Sequence, residues 1–326
     1  MPFQPFPLTM KIVVLDGATL NPGDNPWDDV ARLGEFVCHA RTAANEILER
    51  SRDADVLLTN KTPLSAETLA QLPRLKFVGV LATGYNIVDV KAARARGVAV
   101  SNVPIYGTDA VAEYVFALLL NFLRQPQLHS DLVLQGEWNR VNEWSFWRRP
   151  LAEVAGKTIG VVGFGRIGRR VGELAAAFKM KVLANDVFQG NPPAYPVAWR
   201  SVPELFAEAD VVSLHCNLTP ENTGMVNRDL LRSMKPSAYL INTSRGPLVR
   251  DADLAEALQA GWIAGAALDV VTVEPIPAAS PLLKAPNLTL TPHIAWAAVE
   301  ARRRLTKVTA ENIAAFQGGK PINLVN

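Results

Sequence analysis

Three polar segments in the second half of the chain carry side chains that could bind an anion and transfer a proton. They read NTSRG at residues 242–246, EP at residues 274–275 and TPHIAW at residues 291–296. The planar N–H fork of an arginine can hold a carboxylate, and a histidine can transfer a proton near neutral pH. Each segment also has an ordinary explanation, since an arginine after a strand is usually a surface charge and a single histidine is usually structural.

A glycine-rich segment precedes these three and predicts a dinucleotide site. It reads GFGRIG at residues 163–168, directly after the apolar run at residues 158–162 and before an alanine-rich stretch. In this context Gly163 permits a tight turn, Gly165 lets a pyrophosphate approach the backbone, and Gly168 lets helix and strand pack closely. The N-terminus of the following helix would offer unpaired N–H groups and a partial positive charge to the phosphates.

The acid after the next strand indicates which dinucleotide binds. Asp186 follows the strand predicted at residues 181–184, at the usual distance for the carboxylate that binds the adenosine ribose. A carboxylate there would repel a 2′-phosphate, so the sequence favours NAD over NADP. The alternative is a surface aspartate that opens a turn. Arg166 could partly offset the preference, although contact with a phosphate is its simpler use.

These residues must be positioned by strands that alternate with helices along the whole chain. That alternation predicts an α/β fold with parallel sheets covered by helices on both faces. The predicted strands are residues 11–16, 56–59, 77–81, 98–101, 157–162, 181–184, 211–214, 238–242, 265–269 and 288–291. The predicted helices include residues 42–52, 66–72, 108–122 and 297–316.

Composition indicates a globular protein and argues against a broad electrostatic partner. A length of 326 residues favours two domains. The 33 basic and 31 acidic residues leave a formal charge of only +2, which argues against nucleic acid or an anionic membrane as a partner. The apolar runs are also much shorter than a membrane span.

Cysteine usage and the N-terminus favour the cytoplasm. Cys38 and Cys216 are too few and too far apart to form a disulfide framework. Residues 1–9 contain three prolines and no charged start, which is not typical of a secretory signal. We therefore expect a reducing, cytoplasmic location.

Taken together, these segments resemble the D-isomer-specific 2-hydroxy-acid dehydrogenases over nearly the whole chain. The residues that carry the resemblance are 242–246, LDV at 268–270, Glu274 before Pro275, and the PH pair at 292–293. Glutamate at position 274 departs from the formate dehydrogenases, which resemble this family but carry glutamine there.

The resemblance implies that Arg245, Glu274 and His293 are catalytic. His293 would be the acid/base, Glu274 would orient it, and Arg245 would bind the substrate. The chemistry agrees, because reduction of a 2-oxo acid requires a hydride at the carbonyl carbon and a proton for the growing alkoxide. The fork of Arg245 would hold the substrate carboxylate while polarising the carbonyl.

The resemblance also implies two doubly wound α/β domains. Residues 1–104 and 297–326 would form a flavodoxin-like substrate domain, and residues 105–296 an NAD-binding Rossmann domain inserted into it. A homodimer built through the NAD domains is implied as well. The tryptophan-rich stretch at residues 136–150 is either a packed surface loop, or a subunit contact or lid.

Further ligand contacts follow from the same resemblance. Thr83 and Gly84 would bind the substrate carboxylate through backbone amides, although an ordinary glycine turn also explains their loop, and Tyr106 could face the substrate. Asp269 would contact the nicotinamide. The complete set of cofactor contacts is Thr108, Gly163, Gly165, Arg166, Ile167, Gly168, Asp186, Thr243, Asp269 and His293. No residue is assigned to a metal.

Residues 215–219 match a family segment beside the cofactor, with one departure. Proline is usual in the family where this chain has Asn217. That departure leaves the detail of the contact open, and His215 is interpreted as a structural neighbour of the site.

The substrate is expected to be hydroxypyruvate or glyoxylate, converted to D-glycerate or glycolate. HIAWA at residues 293–297, GEW at residues 136–138 and KTIG at residues 157–160 resemble the glycerate dehydrogenase branch of the family. Trp296 could wall a small pocket. The alternatives are a larger 2-oxo acid, phosphoglycerate, or a non-catalytic protein that senses NAD and interacts with partners.

Overall fold

The computed structural model describes residues 10–326. Residues 1–9, where we expect no secretory signal, lie outside the described residues. The chain divides into two compact units, of which unit 1 comprises Met1–Gly107 with Ala297–Asn326 and unit 2 comprises Thr108–Trp296. Unit 2 therefore interrupts unit 1 in the sequence.

The strands and helices follow the alternation that the sequence predicts. The strands are β1 (Lys11–Val14), β2 (Glu35–Cys38), β3 (Val56–Thr59), β4 (Phe77–Val80), β5 (Ala99–Ser101), β6 (Thr158–Val162), β7 (Lys181–Asn185), β8 (Val197–Trp199), β9 (Val211–Leu214), β10 (Tyr239–Asn242), β11 (Gly265–Leu268) and β12 (Leu288–Leu290). The helices are α1 (Asp28–Ala31), α2 (Ile47–Ser51), α3 (Ala66–Ala70), α4 (Val90–Ala95), α5 (Thr108–Arg124), α6 (Pro126–Leu134), α7 (Glu137–Arg140), α8 (Arg166–Ala177), α9 (Val202–Glu208), α10 (Arg228–Ser233), α11 (Asp251–Gln259) and α12 (Val299–Gln317).

Unit 1 is built on a five-stranded parallel sheet in the order β2-β1-β3-β4-β5. That order is the flavodoxin-like one. Strands β3 and β4 are buried along their whole length, because their residues are apolar on both faces and helices cover both sides.

The C-terminal helix α12 completes unit 1. Its buried residues include Leu305 and the polar Asn312. The Asn312 side chain donates to the Asn102 carbonyl at 2.9 Å and accepts from the Asn323 side chain at 2.8 Å, so the polar group is satisfied inside the core. The helix ends before Gly319, which adopts φ +73°.

Unit 2 is built on a seven-stranded parallel sheet in the order β12-β11-β10-β9-β6-β7-β8. This is the doubly wound nucleotide-binding order, in which the connection reverses direction at β6. Both sheets are parallel and flanked by helices, so the predicted fold class is confirmed.

Two strands, β2 and β8, and seven helices, α1, α4, α6, α7, α9, α10 and α11, were not predicted individually. Strands β2 and β8 lie at sheet edges, and their residues are only partly buried or exposed, so the apolar run that marks a buried strand is absent. The short helix α7 lies in the tryptophan-rich stretch that we expected to be irregular.

No helix within residues 10–326 is both long and apolar enough to cross a bilayer.

Candidate active site

The glycine loop between β6 and α8 has the geometry that a bound pyrophosphate requires. Gly163 adopts φ +90°, and a Cβ there would lie 2.3 Å from the Cys216 backbone nitrogen. A Cβ on Gly168 would lie 2.1 Å from the Gly163 carbonyl oxygen, so only glycine lets α8 approach the loop. By contrast, a Cβ on Gly165 would meet nothing within 4 Å. Open space at Gly165, next to the N-terminus of α8, fits a dinucleotide.

Asp186 follows β7 and faces this loop. Its Oδ2 accepts from the Phe164 N–H at 2.6 Å, and its Oδ1 accepts from the Phe188 N–H at 2.9 Å. The carboxylate is therefore fixed beside the glycine loop. Each carboxylate oxygen can accept a second hydrogen bond, which a ribose hydroxyl could supply.

Arg166 and Ile167 occupy the first turn of α8. Arg166 is exposed and Ile167 is half-buried. An exposed guanidinium at this helix start suits contact with a phosphate.

The turn after β10 is shaped by residues whose individual roles we did not predict. The buried Asn242 side chain accepts from the Ser244 N–H at 3.0 Å and donates to the Arg245 carbonyl at 2.9 Å. The Ser244 hydroxyl donates to the Cys216 carbonyl at 2.6 Å. A Cβ on Gly246 would lie 1.9 Å from the Val271 carbonyl oxygen. These contacts fix the backbone that carries Arg245.

Arg245 itself is exposed, and one of its N–H groups donates to the Ser244 carbonyl at 2.7 Å. The guanidinium has further N–H groups in its planar fork that can bind a carboxylate.

Thr243, on the same turn, has a buried hydroxyl oxygen with no hydrogen-bond partner among the described residues. An unpaired buried hydroxyl is costly unless a ligand satisfies it. Its position at the carboxyl edge of the sheet fits the predicted cofactor contact.

His293 and Glu274 meet as the sequence predicts. The imidazole Nδ1 lies 2.8 Å from Glu274 Oε2. Both side chains are about one-third exposed, so the pair can be reached by a ligand. Because Nδ1 is directed at the carboxylate, Nε2 is the ring nitrogen available for proton transfer.

Asp269 lies directly after β11 and is 1% exposed. Its carboxylate accepts from the Thr291 hydroxyl and from the Ile294 and Ala295 N–H groups. The sequence indicated no such role, since the donors are mainly backbone groups. Its predicted nicotinamide contact stays a prediction.

His215 is a structural neighbour of the glycine loop. Its Nε2 lies 2.7 Å from the Ser213 hydroxyl, and desolvation lowers its pKa to about 3. A histidine that stays neutral at physiological pH is unsuited to donating a proton from the charged form. This agrees with the structural role predicted for it.

In unit 1, Thr83 and Gly84 lie in the loop after β4. The Thr83 hydroxyl donates to the Val103 carbonyl at 2.9 Å, and the Thr83 carbonyl accepts from the Asn102 side chain at 2.7 Å. The Thr83 side chain therefore shapes the loop, which leaves backbone amides as the groups that could bind an anion.

Two other predicted residues lie in the segment that leads into unit 2. The Tyr106 carbonyl accepts from the Arg304 side chain at 2.9 Å, within unit 1. Thr108 is the first residue of α5, in unit 2, and is half-buried.

Residues 116–295, more than half of the chain, match the D-isomer specific 2-hydroxyacid dehydrogenase family in its NAD binding domain. The chain belongs to this family. The family expected from the sequence is confirmed, and the protein is an oxidoreductase with a nicotinamide cofactor.

Relatives extend the likeness to the whole chain. The protein is 45% identical to a hydroxypyruvate reductase of Blautia hydrogenotrophica, over 97% of this chain and 100% of that one. It is 37% identical to a glycerate dehydrogenase of Methylorubrum extorquens, over 98% and 99% of the two chains.

A solved structure gives the same result. The NADPH-dependent glyoxylate/hydroxypyruvate reductase of Sinorhizobium meliloti, in complex with NADP and malonate, has a TM-score of 0.79 at 29% identity and covers 97% of both chains. Because that neighbour holds NADP, family membership alone does not select NAD.

The contrast between Gly165 and Gly168 can be tested with matched alanine variants. Gly168→Ala should destabilise the fold by about 1–3 kcal/mol, because the new Cβ meets a backbone carbonyl that cannot move freely. Gly165→Ala should leave stability nearly unchanged but weaken NADH binding, because its Cβ enters the open space. Thermal unfolding and NADH fluorescence titration measure the two effects. Equal NADH affinity in Gly165→Ala and the unmodified protein would contradict this placement of the pyrophosphate.

Proposed function

We propose that this protein reduces a small 2-oxo acid to its D-2-hydroxy acid with NADH, and that hydroxypyruvate or glyoxylate is the substrate. The observation that carries the proposal is the His293–Glu274 pair, at 2.8 Å. A protein that only sensed the cofactor would need the glycine loop but not a proton-transfer pair. The hydroxypyruvate reductase and glycerate dehydrogenase relatives support the choice of substrate.

His293 and Arg245 have separate roles in the proposed reduction. A dihydronicotinamide held by the glycine loop and Asp186 would supply the hydride that the carbonyl carbon requires. As the carbonyl π electrons move to oxygen, protonated His293 donates its Nε2 proton to that oxygen. Glu274 stabilises the positive charge on the imidazole before the transfer and holds the ring in place. Arg245 binds the substrate carboxylate through its fork and draws electron density from the carbonyl.

We assign unit 2 as the cofactor domain and unit 1 as the substrate domain. In unit 1, the backbone amides of Thr83 and Gly84 and the side chain of Tyr106 remain the proposed substrate contacts. In unit 2, Thr108, Thr243 and Asp269 remain proposed cofactor contacts.

The surroundings of Asp186 favour NAD over NADP. The segment after it, residues 187–189, contains no basic side chain. Arg169 is close in sequence to the loop, but its N–H groups donate to the Gly190 and Asn191 carbonyls. A 2′-phosphate would therefore meet the Asp186 carboxylate, while N–H groups of Arg169 are already bound to backbone carbonyls.

We propose that the protein forms a homodimer through unit 2. Exposed apolar side chains are concentrated on α6, α7 and the segment that follows, and Leu134 and Trp144 are 82% and 86% exposed. The segment is held in place, since His129 on α6 accepts from the Arg148 N–H. Ordered, exposed apolar surface of this kind is typical of protein interfaces.

A reducing compartment such as the cytoplasm suits the two cysteines. Cys38 and Cys216 are both free thiols. Burial raises the pKa of the partly buried Cys216 thiol, so that thiol stays mainly protonated near neutral pH.

A panel of 2-oxo acids tested with NADH and with NADPH decides the proposed activity. We expect the highest kcat/KM for hydroxypyruvate or glyoxylate with NADH. A preference for phenylpyruvate would favour the larger-substrate alternative. No turnover of any 2-oxo acid by protein that binds NADH would favour the sensor alternative. Higher kcat/KM with NADPH would contradict the role of Asp186.

Substitutions in the His293–Glu274 pair should separate proton transfer from cofactor binding. His293→Ala should lower kcat by roughly 10²–10⁴-fold, a far larger factor than any change in NADH affinity. Glu274→Gln removes the charge that stabilises the imidazolium. Reduction requires that form, so its rate should begin to fall at a lower pH than in the unmodified enzyme.

The measurement is kcat/KM for reduction across the pH range. Glu208→Gln is the matched control, because Glu208 pairs with Arg200 elsewhere in unit 2. An unshifted profile for Glu274→Gln would show that the pairing does not act in the reaction.

The dimer is tested by sedimentation. We expect the mass of two chains, and Trp144→Ser with Leu134→Ser should shift the protein toward a single chain. A single-chain mass for the unmodified protein at micromolar concentration would refute the dimer.

A further inference from the structure

The backbone on both sides of His293 is held by hydrogen bonds. Its N–H donates to the Asp269 carbonyl at 2.8 Å, and its carbonyl accepts from the Trp296 indole N–H at 2.8 Å. His293 also adopts φ +57°, in the left-handed region. That region is unfavourable for a non-glycine residue, and the conformation persists only where the surrounding structure imposes it. The loop that carries the imidazole therefore needs an anchor.

The buried carboxylate of Asp269 is that anchor. Its Oδ1 accepts from the Thr291 hydroxyl at 2.7 Å and from the Ile294 N–H at 2.8 Å. Its Oδ2 accepts from the Ala295 N–H at 2.8 Å. Hydrogen bonds to an ionised acceptor are stronger than neutral ones, and three donors offset the cost of burying the charge. The three donors lie on both sides of His293 in the chain.

We propose that Asp269 is a positioning residue for proton transfer. By binding residues 291–295, its carboxylate keeps His293 in the left-handed conformation that places Nδ1 against Glu274. The expected loss of kcat rests on the proposed function. The expected movement of the His293 ring does not, because it depends only on the hydrogen bonds of Asp269. This role differs from a nicotinamide contact. A nicotinamide contact would change the affinity for the cofactor, whereas the anchor changes the position of the His293 imidazole.

Three substitutions weaken the anchor by different amounts. Asp269→Asn keeps the shape but replaces one acceptor with an NH₂ group, which then faces a backbone N–H. Thr291→Val removes one donor and keeps the shape. Trp296→Phe removes the indole N–H and keeps an aromatic ring. We expect the largest effect from Asp269→Asn, since it alone changes contacts on both sides of His293.

The experiment follows the histidine rings by NMR in protein with labelled histidine. The chain has only four histidines, so the ring signals can be assigned, with His293→Ala identifying the signal of His293. Asp269→Asn should move the His293 ring signals and lower kcat by about 10–100-fold, because small misplacements of a catalytic group have effects of this size. NADH affinity should fall by a smaller factor than kcat, because the proposed cofactor contact of Asp269 acts on binding alone whereas the position of His293 acts on turnover. Thr291→Val should shift the same signals less.

Asp210→Asn is the matched control. Asp210 accepts from the Thr158 N–H at 2.8 Å at the amino end of the strands, away from His293. Its loss should lower stability without moving the His293 signals. If Asp269→Asn fails to fold, Thr291→Val tests the proposal instead. Unchanged His293 ring signals in Thr291→Val would then overturn the proposal.

The other outcomes are also decisive. Weakened NADH binding with unchanged His293 signals in Asp269→Asn would overturn the anchor in favour of a cofactor contact. Unchanged signals and unchanged NADH binding would overturn it as well. Absence of 2-oxo acid turnover in the unmodified protein would count against the proposed function alone, and the NMR result would still decide the inference.

Discussion

The parallel alignment of the strands in unit 2 determines where its chemistry lies. Because all neighbouring strands run in the same direction, the loops after their carboxyl ends emerge at one edge of the sheet. The glycine loop follows β6, Asp186 follows β7, the Arg245 turn follows β10 and the His293 loop follows β12. Hydrogen bonds join these loops to one another, such as Ser244 to the Cys216 carbonyl. The candidate site residues therefore lie on loops that one edge of the unit 2 sheet holds in place.

Much of this arrangement could be predicted from the sequence. Buried parallel strands are apolar along their whole length, so their runs were recognisable. The glycine positions, Asp186, and the residues of the NTSRG and PHIAW segments have side chains whose types reflect their chemistry. The contact between His293 and Glu274 was predicted from the resemblance to the family, and the geometry agrees.

Other features left little trace in the sequence. Edge strands β2 and β8 are at most partly buried, so they lack the apolar run of a fully buried strand. The anchor at Asp269 depends on backbone N–H groups, which every residue but proline provides, so no residue type identifies it. The need for glycine at position 246 arises from the Val271 carbonyl, whose approach depends on how β10 and β11 pair. These features depend on tertiary contacts.

The interruption of unit 1 by unit 2 has a consequence for biosynthesis. Helix α12 packs on β4, and the Phe316 ring lies 4.9 Å from the ring of Phe77. During synthesis from the N-terminus, α12 leaves the ribosome only after all of unit 2 has been made. The face of the unit 1 sheet on which α12 packs therefore stays uncovered during this time. Unit 2 already has its complete sequence and can fold first. A chaperone that shields apolar surface would act mainly on unit 1 during this interval.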